Sequence, residues 1–271
     1  MTDILEEIVR HKRWELEQFK ELLPERELHR QTEALLGTEV PSIHAALKKA
    51  STGIIAEFKR KSPSKGWIHE DGRADIIPLA YQNEGAAAVS ILTDSHYFGG
   101  EDSFISTARK TGVEIPILYK NFIVDEYQLF QARLCGASAV LLIAAALTLQ
   151  DCRQLRRMAR ELQLEVLLEM HHEKELDYAE IEPELYGINN RHLGTFVTDV
   201  STSFQLAEKL PREGLKVSES GISDAQTVLR LKKAGFEGFL MGECFMKEAD
   251  PGLALHSFLS QIDCLEKQIF F

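Results

Sequence analysis

From residue 53 onward a short apolar run recurs eight times, each leading through a polar loop into a helical stretch. The runs fall at 53–59, 87–94, 115–120, 137–144, 164–170, 185–190, 215–220 and 238–242. They are almost continuously apolar rather than alternating, the pattern of strands covered on both faces in a parallel sheet. The segments between them carry helix signals. Thr148 with Asp151, and Ser223 with Gln226, are expected to form capping boxes. Behind the first lies an apolar stripe of Leu155, Met158, Ala159 and Leu162; behind the second lie Val228, Leu229 and Ala234, with Gly235 as the stop. Strands alternating with helices define an α/β fold, and eight units in roughly 210 residues match the (β/α)8 TIM barrel. A doubly wound open sheet is the alternative, but no GxGxxG follows the first run.

Residues 1–50 follow a different pattern. Ile4, Leu5, Ile8, Val9, Leu16 and Phe19 recur at helical spacing, Pro24 ends that segment, and Pro41 with Ser42 starts a second short helix over 42–50. The expected organisation is an N-terminal helical extension, 1–50, packed on a single catalytic barrel, 51–271. The extension could be a lid over one barrel end or an amphipathic arm for a partner. Its shortness and its direct lead into the first strand favour the lid. With the chain finishing at Phe271, no second fused barrel is expected.

Composition narrows the partners. With 42 acidic against 31 basic side chains the net charge is -11. That balance opposes nucleic-acid binding and obliges any phosphorylated ligand to find a local positive site. Cys135, Cys152, Cys244 and Cys264 contain no CxxC pair, which points to reduced thiols in the cytoplasm. The N-terminus mixes acids with bases, unlike a leader peptide, and no apolar run is long enough to span a membrane.

In such a barrel the chemistry sits where the strands end. The expected endings carry Glu57 and Lys59, then Asp94, Lys120, Glu169, Asn189 with Arg191, and Ser218, Glu219 and Ser220, with Gly242 closing the eighth. Charges at buried strand ends cost desolvation energy unless they face a ligand or each other. The stretches SESGI at 218–222 and MGE at 241–243 place small residues in the last two loops, where Gly221, Gly242 and Glu243 can offer backbone amides to a phosphate.

The ordered motifs IIAEFKRKSPSKG (54–66), ILYKNFI, LLEMH, GINNR, VSESGI and FLMGE, together with YFGG at 97–100, resemble the indole-3-glycerol phosphate synthase family over nearly the whole chain. The resemblance implies ring closure of 1-(2-carboxyphenylamino)-1-deoxyribulose 5-phosphate, with loss of carbon dioxide and water, in tryptophan biosynthesis. It implies no metal and no organic cofactor. By the same resemblance Lys120 is the general acid and Lys59 the second functional lysine. Glu169 is a general base, and Glu57 a carboxylate that tunes the lysines. Asn189 and Arg191 clamp the anthranilate carboxylate, Glu219 and Ser220 hold ribulose hydroxyls, and Ser62, Gly221, Gly242 and Glu243 line the phosphate site. Phe98 and Phe122 are candidates for the wall against the anthranilate ring. Weak contact with other enzymes of the same pathway is a further expectation.

One position departs from the family pattern. Asn121 follows Lys120 where the family usually has Asp, and losing that charge is expected to make Lys120 easier to deprotonate. His171 and His172 have no further ligand at matching spacing, so a metal site there is not expected. Asp94 is expected to support its loop. The competing readings are another phosphate-binding barrel enzyme, such as a phosphoribosyl isomerase or a tryptophan synthase α-type lyase, and a non-catalytic barrel that only binds a phosphorylated ligand.

Overall fold

The computed structural model describes residues 4–269. The end of the chain at Phe271, on which the single-barrel expectation leaned, lies outside the described residues. Eight parallel strands close on themselves: β1 (Ile54–Phe58), β2 (Ala88–Leu92), β3 (Ile117–Lys120), β4 (Ala139–Ile143), β5 (Glu165–Met170), β6 (Leu185–Asn189), β7 (Leu215–Glu219) and β8 (Phe236–Met241). Each pairs with its neighbours in sequence, and β1 completes the ring, with Ile55 opposite Ala88 on one side and Leu240 on the other.

Alternation along each strand sorts side chains into two layers. Ile54, Ala56, Phe58, Val89, Ile91, Val140, Leu142, Val166 and Leu168 pack outward against helix residues such as Leu155, Ala159, Val228 and Leu231. Ile55, Leu118, Leu141, Leu167, Leu185, Leu215, Val217 and Leu240 fill the interior. Both layers are apolar, which is why the runs read as continuous rather than alternating.

The N-terminal extension reaches both ends of the barrel. Helix α1 (Ile4–Leu22) buries Leu5, Ile8, Lys12 and Leu16. Its first turns, with Ile4, Leu5 and Ile8, form part of the wall of the cavity at the C-terminal end of the strands. Helix α2 (Glu25–Glu33) runs down the side. There His29 stacks on Phe130 with ring centroids 3.8 Å apart, on the helix Tyr127–Cys135. Helix α3 (Ile43–Lys49) lies at the opposite end, where Ile43 and Leu47 join the interior layer. Ser42 caps α3, accepting from the Ala45 amide, and its hydroxyl donates to Glu165 at the start of β5 (2.5 Å). Lys48 pairs with Glu237 (2.7 Å) at the start of β8.

Three details differ from the sequence reading. Helix α2 was not expected, because its nine residues, ERELHRQTE, bury only Leu28 and Thr32. The SPSKG turn is part of a two-residue hairpin, Lys61–Ser62 against Gly66–Trp67. The Thr148–Asp151 capping box is present, but the other helix starts one residue later than expected. Its cap is Asp224, whose carboxylate accepts from the Thr227 amide (2.8 Å), and its buried face is Ala225, Thr227, Val228 and Leu231, with Leu229 and Ala234 only half-buried.

Candidate active site

The interior positions continue upward beyond the apolar layer, and there the residue types change. The same alternation that points Ile55, Leu118, Leu167, Leu185 and Val217 inward points Glu57, Lys120, Glu169, Asn189 and Glu219 into the barrel mouth. Lys59 and Gly242 continue the phase just past β1 and β8. A cavity of about 490 Å³ opens above them. Of the residues singled out in the sequence, Lys120, Lys59, Glu169, Glu57, Asn189, Arg191, Ser220, Phe98, Phe122, Ser62, Gly221, Gly242 and Glu243 all border it. Glu219 does not. It is 1% exposed, behind Lys120.

The floor is a network of buried charge. Lys120 Nζ lies 2.7 Å from Glu219 Oε2, 3.7 Å from Glu169 Oε2 and 4.0 Å from Glu57 Oε2. Lys59 Nζ donates to Glu57 Oε1 (2.6 Å). Burial works against the Lys120 ammonium, but the charges of Glu219, Glu169 and Glu57 outweigh it and raise its pKa above the ordinary lysine value. Burial also works against the Glu57 carboxylate, and Lys59 and Lys120 overcome it, lowering its pKa. Glu219 goes the other way. Burial, with Glu169 adding to it, outweighs Lys120 and pushes the Glu219 carboxyl up to about 7.

That arrangement bears on the expectation attached to Asn121. Its side-chain amide donates to Thr93 Oγ1 (2.8 Å) and Tyr119 Oη (3.3 Å), and its carbonyl accepts from the Phe122 amide (2.9 Å). Asn121 thus braces its own loop. With Asn121 in place, the charges of Glu219, Glu169 and Glu57 still raise the Lys120 pKa above the ordinary lysine value.

Around the rim, the loops meet closely. Arg191 Nη1 donates to Ser64 (3.4 Å), and its Nη2 lies 3.7 Å from the Glu243 carboxylate, which also pairs with Lys65. Asn189 Oδ1 accepts from the Arg191 amide (3.0 Å) and shapes that turn. The Ser62 hydroxyl is buried without a hydrogen-bond partner. Gly242 is required by proximity, since a Cβ there would stand 2.7 Å from Glu57 Oε1. Gly221 is required by conformation as well, with φ +76° and a would-be Cβ 2.5 Å from Thr198. Phe98 and Phe122 face each other across 6.0 Å on one wall. Asp94, at the end of β2, supports its loop as expected: it accepts from the Tyr97 amide (2.8 Å) and pairs with Lys12 of α1 (2.8 Å).

Other wall residues escaped the sequence reading. Lys65 sits in the SPSKG turn, where a single lysine has no signal of its own, and Lys247, Leu193, Phe196 and Thr198 lie in loops with no distinguishing pattern. With them, the cavity wall carries Lys59, Lys65, Lys120, Arg191 and Lys247 against Glu57, Glu169 and Glu243. An acidic protein therefore presents a mouth with an excess of positive charge, suited to an anionic ligand. Among the described residues no group of three or more His, Cys, Asp or Glu is placed to hold a metal ion, and no helix is long and apolar enough to cross a membrane.

A closed eight-stranded barrel whose mouth joins two lysines to a set of buried carboxylates defines a (β/α)8-barrel protein equipped for proton transfer on an anionic ligand. The chain belongs to the indole-3-glycerol phosphate synthase family, whose sequence profile matches residues 5–258. It is 51% identical over 265 residues to the indole-3-glycerol phosphate synthase of Bacteroides thetaiotaomicron, covering 97% of this chain and 100% of that one. It is 42% identical over 262 residues to that of Acidithiobacillus ferrooxidans, covering 94% and 98%. Among solved structures, a mutant tryptophan synthase α-subunit from Pyrococcus furiosus superposes with a TM-score of 0.60 at 13% identity, covering 79% of this chain and 98% of that one. Orotidine 5'-monophosphate decarboxylase from Sulfolobus solfataricus gives 0.55 at 13%, covering 79% and 99%. At such identities these two share the barrel and nothing further is carried over.

Proposed function

We propose that this chain closes the indole ring of 1-(2-carboxyphenylamino)-1-deoxyribulose 5-phosphate, releasing carbon dioxide and water to give indole-3-glycerol phosphate. The observation that carries the reading is Lys120, held among Glu219, Glu169 and Glu57 beside the Lys59–Glu57 pair in one cavity. Ring closure needs a cation where the ketone oxygen becomes an alkoxide, and then a proton for it. Lys120 supplies both. Its carboxylate neighbours keep it charged and make it a weaker acid, so charge stabilisation precedes proton transfer. Glu169 is the base for the ring proton. Lys59, tuned by Glu57, meets the substrate carboxylate and assists dehydration. Their titrations are linked through one network.

The rim provides the binding groups. The planar fork of Arg191, placed by Asn189, suits a carboxylate. The free Ser62 hydroxyl and the backbone amides of Gly221, Gly242 and Glu243 take the phosphate. Glu243 contributes only its amide, since its carboxylate is occupied by Lys65 and Arg191. Ser220 meets a ribulose hydroxyl. Glu219, off the cavity wall, holds Lys120 rather than the sugar. Phe98 and Phe122 flank the aromatic ring. In this reading 51–271 is the catalytic unit, and 1–50 is an extension that completes the wall of the pocket. The reaction runs in the cytoplasm. Weak contact with other enzymes of tryptophan biosynthesis, tested by co-purification with and without residues 1–50, belongs to the same proposal.

The test is indole fluorescence on mixing the protein with the carboxyphenylamino substrate. Product from the parent and a loss of about 10³-fold or more in Lys120→Ala support the reading. Tight phosphate-dependent binding without product would reduce the protein to a binding barrel.

A further inference from the structure

His171 has no part in the reaction as described, yet it is the nearest ionisable neighbour of the base on the side away from Lys120. It follows β5 two positions after Glu169, and its side chain is 4% exposed. Its Nε2 lies 3.3 Å from Glu169 Oε1, and its Nδ1 lies 3.7 Å from Glu175 Oε2. Neither ring nitrogen completes a hydrogen bond. A buried imidazole with two unbonded nitrogens is costly unless charge compensates it. Glu175 is itself fixed: Oε2 accepts from the His171 amide (2.6 Å), and Oε1 lies 3.0 Å from His172 Nδ1.

The two oxygens of Glu169 therefore face one nitrogen-bearing group each. Oε2 looks to Lys120 at 3.7 Å, and Oε1 to His171 at 3.3 Å. Lys120 is a shared resource, because its shortest contact is with Glu219. A base that relied on Lys120 alone would compete with Glu219 for one ammonium, in a site where both carboxylates are almost wholly buried. The His171 ring gives Glu169 a second partner.

We propose that His171 is a positioning residue for Glu169: held as an imidazolium between Glu169 and Glu175, it keeps the base turned into the cavity while Lys120 remains paired with Glu219. This rests on Glu169 being the base. The groups facing His171 are Glu169 from β5, Glu175 and His172 from the segment that follows, and Glu219 from β7. The wall of the smaller cavity that it borders adds Arg191, His192 and Asp199. Burial disfavours the charged ring, but Glu175, Glu169 and Glu219 together outweigh it and raise its pKa.

Two measurements test this. In His171→Gln kcat falls by about tenfold over the pH range in which the wild-type ring is charged, while the rate above that range and KM stay within about threefold. Glu175→Gln lowers kcat over the same range by less. Independently of turnover, the His171 ring is titrated by NMR in the substrate-free protein. Its midpoint is expected above the ordinary value of about 6.5 and falls by about half a unit or more in Glu169→Gln. A uniform fall in kcat at every pH, or a titration indifferent to Glu169→Gln, overturns the proposal. Wild-type protein that forms no indole product overturns the functional reading instead, and the titration then decides the Glu169–His171 pairing by itself.

Discussion

At the lower level of the barrel interior Ile55, Leu118, Leu167 and Val217 meet one another over Ile43 and Leu47 of α3. One pleat higher on the same four strands stand Glu57, Lys120, Glu169 and Glu219. The distance is two residues, about 6.6 Å of rise. Below, aliphatic side chains exclude water and hold the barrel shut. Above, three almost equally buried carboxylates and a half-buried lysine carry charges that contribute to stability only in so far as they compensate one another. The contrast shows where the fold ends and the chemistry begins: at a single step of alternation, with no change of element and no extra domain.

The sharpest way to break this contrast is to make the upper level resemble the lower. Lys120→Met should cut kcat by about 10³-fold or more, roughly 4 kcal/mol on the barrier. The protein should remain folded, checked by indole fluorescence together with a thermal melt. Next is a charge at the upper end that does no chemistry. Lys12, 2% exposed, pairs with the fully buried Asp94, so Lys12→Met strands a carboxylate and should cost about 3 kcal/mol in denaturant unfolding. It should also raise KM through Phe98, which rides on the turn that Asp94 caps. The converse substitution lies at the closed end. Leu47→Ala should cost about 2–3 kcal/mol of stability while leaving kcat within about twofold.

A subtler effect concerns pH. The Glu219 carboxyl is raised to about 7 from an ordinary 4.5, so between those values the folded state holds a proton that the unfolded chain has released. Stability from this group therefore falls as pH rises through that window. Glu219→Gln should flatten the slope, measured by unfolding at several pH values. The smallest change is Asn121→Asp, which should alter kcat by less than about threefold, because Glu219, Glu169 and Glu57 already hold Lys120 charged. A large displacement of the pH profile would show that the loop, rather than the network, governs the acid.

Much of this was legible in the sequence because the barrel uses its strands so regularly. Every apolar run becomes a strand, and the endings that mix Glu, Lys and Asn with aliphatics mark the mouth. The expected spans overran the ladders, 87–94 against Ala88–Leu92 for instance, since end residues such as Asp94 turn away to cap a helix. Helix α2 escaped because two buried positions in nine leave no stripe to recognise. Sequence gives phase but not depth: Glu219, which the resemblance places on the sugar, does not border the cavity, and Lys120 stands in front of it. Thr198 and Phe196 escaped for another reason: loops have no period, and their place at the rim follows from the turn set by Asn189 and Arg191.

The extension that spans both ends of the barrel has a consequence for the order of events during synthesis. Ser42 must wait for Glu165, and Lys48 for Glu237, 189 residues later. The helices made first on the ribosome thus find their partners late, and α3 cannot seat until the strand that closes the ring has emerged. Docking of these early helices then acts as a completion signal for the barrel: a nascent chain stopped before β8 would leave the apolar face of α3 open to chaperones.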